Sequence, residues 1–432
     1  MSLPDPARSQ NMWHQIDIDP VDTLFFRDAK PMEASSMGGG AQWPSPDRWH
    51  VAMRSALVYQ WPDRQDFEHQ IEARIASAKP RSRKTLGGPS PRFGELLTCG
   101  PFPMRDEQLF FPTPLDLGPS GYAAPFKNLG FSDLPSGLAP VNWSGPSTKD
   151  RPEPWISTAG LDAYLSGNAK EAAQATEQAE HLYCAETRPG IAINPFSQTT
   201  EDGKFYQAQQ LRLREQNLNR KTSKVTLRAF ARCTCHRQGH AQATDVIAKL
   251  GKQFRLLFGG DRRVARAEVR RNWLNVPIVQ TQGTRIKWTL ITPACFGGGW
   301  HPSWIQPTSA DQGSATTWQV HLRPTLLRDQ GESRKVWRER KDKQNRIKAR
   351  LVGALTGKAL HVSGWRLDQG GGKGAPKPTR LLVPAGSVYY FEADTPEDAQ
   401  TLAQTLSGRP VSDHLGEKGF GWGVCSSWSP TR

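Results

Sequence analysis

Three glycine clusters lie next to aromatic residues in this chain: Gly38-Gly39-Gly40 with Trp43, Gly297-Gly298-Gly299 with Trp300, and Gly419-Phe420-Gly421-Trp422-Gly423. Glycine has no Cβ, so its backbone reaches positive φ and a ligand can come close to the main-chain N–H groups. Clustered amides form a concave anion site, and a neighbouring ring offers a face for stacking a base. No cluster continues into the Gly-Lys-Ser/Thr ending of a nucleotide-triphosphate loop. The pattern suits gripping RNA better than hydrolysing ATP. Gly39 and Gly298 are candidate amide sites, and Trp43 and Trp300 candidate stacking faces.

Basic residues at expected element ends would complete such a grip. Arg27 and Lys30 follow the first expected strand, and Arg262 and Arg263 follow Gly259-Gly260-Asp261 in a turn. Each is placed for a phosphate contact. The formal net charge of +15 and pI near 9.7 agree, pointing to a nucleic acid or an anionic membrane. The membrane is the weaker reading, because no apolar run approaches the roughly 18 residues of a spanning helix. The polar N-terminus lacks the apolar stretch of a signal peptide, so a cytoplasmic protein is expected. Six cysteines (Cys99, Cys184, Cys233, Cys235, Cys295, Cys425) are too scattered for a disulfide scaffold. Cys233-Thr234-Cys235-His236 with His240 has zinc-ligand types, but a tighter spacing than structural zinc sites use. No metal or other cofactor is expected.

The elements that must carry these residues follow from periodicity and punctuation. Ile16–Phe26 reads as a strand, and Asp47 caps a helix over Arg48–Gln60 with Val51, Ser55 and Val58 on one face. Leu96–Pro103 and Gln108–Pro112 form a hairpin; helices near Thr158–Ser166 and Ala169–Ala179 follow. Strands come next at Phe205–Arg214 and Lys224–Cys233, then a helix from Thr244 through Leu257 and a strand at Val264–Val269. Strand, helix, strand pair, helix, strand is the ferredoxin-like order. A similar order recurs with strands at Arg285–Thr292, His361–Leu367 and Gly386–Phe391, a helix at Glu397–Leu406 and a strand at Gly421–Trp428. Between its first two strands, Glu332–Arg350 carries nine Lys/Arg against three acids and predicts a basic helix, either a solvated face or an RNA or partner contact. The expected class is α+β: two ferredoxin-like (RRM-like) domains with long insertions. They span residues 1–280 and 281–432, with a basic insertion near 305–358.

A further set of motifs runs in order along nearly the whole chain. They are Asp22-Thr23-Leu24-Phe25-Phe26-Arg27-Asp28-Ala29-Lys30-Pro31, Trp43-Pro44-Ser45-Pro46, Phe110-Phe111-Pro112-Thr113-Pro114-Leu115-Asp116-Leu117 and Arg188-Pro189-Gly190-Ile191-Ala192-Ile193. Then come Leu211-Arg212-Leu213, Thr292-Pro293-Ala294-Cys295-Phe296-Gly297-Gly298-Gly299-Trp300, Val362-Ser363-Gly364-Trp365 and Pro384-Ala385-Gly386-Ser387-Val388-Tyr389-Tyr390-Phe391. In this ordered set the chain resembles the subunit-three family of the Cmr complex, the type III-B CRISPR effector, within the Cas-five-like group of RAMP proteins. The resemblance implies two ferredoxin-like domains and a non-catalytic, RNA-binding role in antiviral defence: holding the 5′ tag of the CRISPR RNA (crRNA). It implies contacts with the large Cas-ten-type subunit and a neighbouring backbone RAMP subunit, and with target RNA only indirectly. Arg188 and Arg212 lie inside matching motifs and become candidate RNA contacts. Gly419, Phe420, Gly421 and Gly423 resemble the C-terminal glycine-rich motif of RAMP proteins, whose backbone amides approach phosphate. Cys233–His240 and Glu332–Arg350 match no family motif.

Two other readings compete. A RAMP endoribonuclease that cuts precursor CRISPR RNA needs a general acid or base near the scissile 2′-hydroxyl, and His50 by the first helix is its candidate. A basic scaffold would meet protein partners alone, and would bind RNA without regard to the tag and without a salt slope.

Overall fold

The computed structural model of the chain describes residues 13–26, 37–38, 41–60, 96–126, 133–143, 150–218, 221–235, 244–270, 281–308, 316–324, 332–366 and 375–430. Period-two alternation makes β1 (His14–Pro20) a half-buried strand, with Ile16 and Ile18 inward and Asp17 and Asp19 on the other face. It stops at Pro20, which brings no N–H to a ladder. Helix α1 (Pro46–Gln60) then lays Trp49, Met53, Ala56 and Leu57 into the core with Ile16 and Ile18. This corrects the expected face: Val51 is exposed, and Ser55 and Val58 are half-buried.

The hairpin β2 (Leu97–Arg105) and β3 (Gln108–Pro112) leads to β4 (Trp155–Ser157) and α2 (Thr158–Leu165). A long antiparallel hairpin, β5 (Tyr183–Ile193) and β6 (Thr200–Leu213), forms its own sheet with Met37–Gly38. Strands β7 (Lys221–Arg232), β8 (Gln253–Leu257) and β9 (Val264–Arg270) complete the first large sheet, in the order β8-β9-β1-β7-β2-β3-β4 and then Thr176–Glu177.

A second sheet is built from β10 (Arg285–Leu290), β11 (Ile305–Thr308), β12 (Thr317–Val320), β13 (Ala349–Leu355), β14 (Val388–Ala393) and β15 (Gly423–Ser427). Its order is β11-β12-β13-β14-β10-β15. Helix α3 (Arg334–Asp342) precedes β13, and α4 (Pro396–Leu406) joins β14 to β15. Thr395 caps α4, accepting from the Asp398 amide, and Pro396 supplies a preset first-turn φ. The helix buries Leu402 and Leu406 in one cluster with Trp288 and Phe391.

Both sheets contain a four-strand antiparallel path, β9-β1-β7-β2 and β15-β10-β14-β13, in which the first strand in sequence lies between the third and fourth. The protein is α+β with sheet dominant. A third core packs Phe102, Phe111 and Leu161 against Ile291 and Val424, so the two sheets share buried surface. No helix among the described residues is long and apolar enough to cross a membrane.

Several expected elements are shorter or differ in kind. The helix from Thr244 is a single 3-10 turn, Ile247–Leu250, closed by Gly251 at φ +79°. Phe254 and Leu256 then alternate inward as β8. The basic helix over Glu332–Arg350 is α3 alone, capped by Ser333; Ala349 and Leu351 turn inward on β13. His361–Leu367 divides into two short strands, Leu360–Val362 and Trp365–Arg366. Ala169–Ala179 holds a helix only over Ala169–Gln174, because Thr176–Glu177 pairs with β4. Cys233 is buried at the end of β7; His236 and His240 lie outside the described residues.

Candidate nucleic-acid interface

Past Pro20 the chain leaves the first sheet, and Leu24 exchanges two backbone hydrogen bonds with Leu211 of β6, 2.8 and 2.7 Å. Leu211 is buried, so its neighbours Gln210 and Arg212 face the other way. Across the hairpin Glu186 opposes Gln210, Cys184 opposes Arg212, and Arg188 opposes Ala208. One face of β5–β6 therefore carries Glu186, Arg188, Gln210 and Arg212, with Asp22 brought alongside.

A second turn delivers Arg263. Gly259 sits at φ +105°, and a Cβ there would lie 2.8 Å from the Phe25 carbonyl oxygen, so only glycine fits this approach. The Gly260 amide donates to that carbonyl at 2.7 Å. Asp261 and Arg262 both adopt left-handed conformations, and the turn aims Arg263 back across the hairpin.

The result is a closed charge cluster. Asp22 accepts from Arg188 at 2.9 Å, from Arg212 at 3.1 Å and from Arg263 at 3.2 Å. Glu186 accepts from Arg188 at 2.7 Å and from Arg212, and Arg263 also donates to Gln210 at 2.9 Å. Arg212 and Arg188 pull the Glu186 carboxyl down to about 2 against a smaller opposing effect of burial. Burial works to raise Asp22, but the Thr23 amide and the Arg188 and Arg212 guanidiniums outweigh it and hold it below its usual value. The cluster sets three guanidiniums against two carboxylates. The Arg263 Nε is buried with no acceptor, and Arg262 is exposed beside it.

Beyond the cluster the hairpin carries apolar residues into solvent. Ile191, Ile193 and Phe205 are each more than half exposed, and Phe196 near the tip is 96% exposed. A row of arginines at the base and an uncovered ring near the tip suit a strand of nucleic acid, with phosphates held below and a base against the ring.

The other expected contacts are arranged differently. Arg27, Lys30 and Gly39 lie outside the described residues; the flanking Phe26 and Gly38 border Ala41 and β6. Trp43 packs against Trp155 and Tyr183 at 5.2 and 5.1 Å between centroids, and its N–H donates to the Pro101 carbonyl at 2.9 Å. The loop holding Gly298 is exposed, and it does cradle an oxyanion, but one from this chain. The Gly297 and Ser303 amides both donate to Asp413 Oδ2 at 2.7 Å, and the Ser303 hydroxyl donates to Oδ1 at 2.8 Å. Trp300 leans on Trp318 and is half-buried.

The third cluster faces inward. Gly419, Phe420, Gly421 and Gly423 are all buried. The Gly419 amide donates to Gly416 and the Gly421 amide to Pro293, so neither is offered to a phosphate. A Cβ on Gly423 would lie 2.1 Å from Trp288 Nε1. These glycines let β15 and its approach press onto β10. His50 is also interior. It is 2% exposed, 3.2 Å from the Thr98 hydroxyl, and burial with the Lys418 and Arg54 charges pushes its pKa down to about 3.

Arg188, Arg212 and Arg263 are among the residues expected from the sequence, and the structure brings them together; Asp22 and Glu186, which join them, and the exposed Phe196 are not among those expected contacts. The alternation of Arg188, Gly190 and Ala192 with Ile191 and Ile193 was the available sign of an exposed strand.

A family model described as CRISPR-associated protein (Cas_Cmr3) matches residues 16–428. Among solved structures, the chain is similar to a chain of the type III-B Cmr-beta complex bound to cognate target RNA and AMPPnP. That match has a TM-score of 0.41 and 12% identity, over 87% of this chain and 86% of the other. A chain of the same complex bound to cognate target RNA gives a TM-score of 0.39, with the same identity of 12% and the same coverage, 87% and 86%. No curated protein matches the sequence.

Proposed function

The chain belongs to the Cas_Cmr3 family of CRISPR-associated proteins, a component family of the type III-B Cmr effector, and from that premise we propose that it is a non-catalytic subunit gripping the 5′ tag of the CRISPR RNA. Its β9-β1-β7-β2 and β15-β10-β14-β13 paths are read as two ferredoxin-like units, on their strand order. The observation that carries the reading is the Arg188–Arg212–Arg263 cluster at the base of a hairpin with an uncovered phenylalanine near its tip. Asp22 and Glu186 hold the arginines in a fixed fork, and a phosphate entering the cluster gains their guanidinium donors without ordering three long side chains anew. Anchoring of a large Cas-ten-type subunit and contact with a backbone RAMP subunit belong to the same proposal, by family.

Anisotropy of labelled guide RNA, with and without its repeat-derived tag, tests the reading across a salt series. Tag-bearing RNA binds more tightly, and affinity falls with salt as counterions are released. Arg212→Ala weakens binding several-fold and reduces the salt slope by about 1. Asp22→Asn, which releases guanidinium donors, strengthens it. Phe196→Asp weakens binding and leaves the melting temperature unchanged. Affinity indifferent to both tag and salt would favour the protein-only scaffold. Metal-independent cleavage of repeat RNA, lost in His50→Ala, would favour the nuclease.

A further inference from the structure

Residues 321–350 carry eleven Lys/Arg against four Asp/Glu, a net +7 out of the chain's +15. Most of that excess lies on α3 and the run after it, and Glu332–Arg350 contains none of the motifs that carry the family resemblance. A charged helix is ordinarily a solvated face whose cations complement the helix dipole or pair with acids one turn away. On α3 neither holds. Arg334 and Lys335 occupy its first two positions, where the dipole disfavours cations, and no acid stands in that first turn. Glu339 is exposed one turn from both Lys335 and Lys343, yet pairs with neither.

The acids that are engaged sit to the side. Glu332 takes Arg340 in a two-pronged pair at 3.0 and 2.8 Å, and Glu392 of β14 is shared by Arg350 and Arg285. Asp394 donates its amide to the Lys348 carbonyl, and Asp398 accepts from the Lys348 amide at 3.1 Å. With these three carboxylates, the neighbouring Glu397 and Arg285 all added, the count is twelve cations against eight carboxylates, so the face stays positive. Lys335, Arg338, Lys343 and Arg346 are exposed, and none meets a carboxylate among the described residues. Arg346 donates to His321 Nδ1 at 2.9 Å, an acceptor that leaves the guanidinium charge uncancelled. Arg323 donates to the Lys341 carbonyl at 3.3 Å, which sets a further guanidinium against the end of the helix.

Little of this surface is apolar. Val336 is 52% exposed, Trp337 is half-buried with the Lys341 ammonium 5.2 Å from its ring centroid, and Ile347 and Ala349 turn inward. A protein interface is built around a centre poor in charge, and lysine is depleted there; nucleic-acid interfaces are more polar and much more positive. We propose that the exposed face of α3, with the run to Arg346, is a second RNA contact that holds the phosphate backbone of the guide without reading its sequence. The surface follows from its own charges. Only the choice of the guide as its strand rests on the reading of the hairpin as the tag grip.

Anisotropy of the full chain carrying Lys335→Gln, Arg338→Gln and Lys343→Gln together tests the contact. The three side chains are exposed and the first opposes the helix dipole, so the melting temperature is expected to hold. Affinity for guide RNA is expected to fall at least tenfold at low salt, and the salt slope by about 2, as three phosphate contacts on a single strand are lost. The preference for tagged over untagged RNA stays in this variant and shrinks in Arg212→Ala, so a failure of the tag reading shows in Arg212→Ala alone. Unchanged affinity and slope in the triple variant overturn the proposal. Acylation footprinting of Lys335 and Lys343 identifies the occupant: both are expected to be shielded by guide RNA on the isolated chain, and in the purified effector assembly before target RNA is added. Shielding that appears in the assembly only with target RNA overturns the guide in favour of a second strand. Shielding in the assembly that guide RNA does not produce on the isolated chain overturns RNA in favour of a protein partner.

Discussion

Asp22 sets how much positive charge the hairpin face can present. Its carboxylate meets Arg188, Arg212 and Arg263 at once, so each arginine is neutralised in part and held in part. His50 shows the opposite arrangement, a titratable group with its charge suppressed. Its folded pKa is depressed to about 3, first by burial and then by Lys418 and Arg54, against an ordinary value of 6.5. The unfolded chain therefore binds the proton first as pH falls, and the stabilisation from a neutral His50 is complete above pH 6.5 and lost progressively below it. Between pH 7 and pH 5 this group alone costs about 2 kcal/mol. Urea unfolding at the two pH values should show that slope in the wild type and its absence in His50→Gln. An equal slope in both would mean that the ring is protonated in the folded protein. At this scale the sequence was half legible. It offers Arg188, Arg212 and Arg263 as candidates, because arginine in a turn or a family motif is visible locally. It does not show that Asp22 and Glu186 tie them together, because those contacts join residues up to 241 positions apart.

Elements were read well where punctuation and period agreed and poorly where they did not. The β2–β3 hairpin, α2, β9, α4 and β15 lie close to their expected places. At Glu332–Arg350 the charge run predicts one helix, and the structure differs. Only α3 forms, and the inward alternation of Ala349 and Leu351 governs the remainder. The third glycine cluster shows why residue type underdetermines role. Glycine permits close approach, and here the approaching group is protein: Gly423 lies against Trp288, and Gly421, at φ +77°, against Ser412. A methyl group at Gly423 must displace the Trp288 ring or the Thr289 carbonyl, at a cost of about 1–3 kcal/mol. Gly423→Ala is thus expected to lower the melting temperature while leaving RNA affinity, measured well below melting, within twofold of wild type. A large loss of RNA affinity in a variant that melts normally would restore the phosphate reading of this motif.

At the scale of the whole molecule, one buried polar node ties the two sheets together. Asp116, fully buried, accepts from Lys287 on β10 at 2.6 Å and from Tyr164 on α2 at 2.8 Å, and Tyr390 on β14 donates to it at 3.3 Å. Lys287 also lies over the rings of Tyr122 and Tyr164, 4.3 and 4.0 Å from their centroids. Burial lowers the lysine pKa and the Asp116 charge opposes that, so the ion pair survives only as a pair. Asp116 precedes Leu117 in one motif and Tyr390 lies in another, which gives those two motifs a structural reason independent of RNA. Removing one partner leaves an uncompensated charge in the core shared by both sheets. Lys287→Met should therefore cost about 3–5 kcal/mol. Adding Asp116→Asn removes the stranded charge and keeps an acceptor for the tyrosine hydroxyls, so the double variant should recover more than half of that loss. Denaturant unfolding of the two single variants and the double variant measures the coupling directly. Additive losses would show that the pair is incidental and that apolar packing alone holds the sheets against each other.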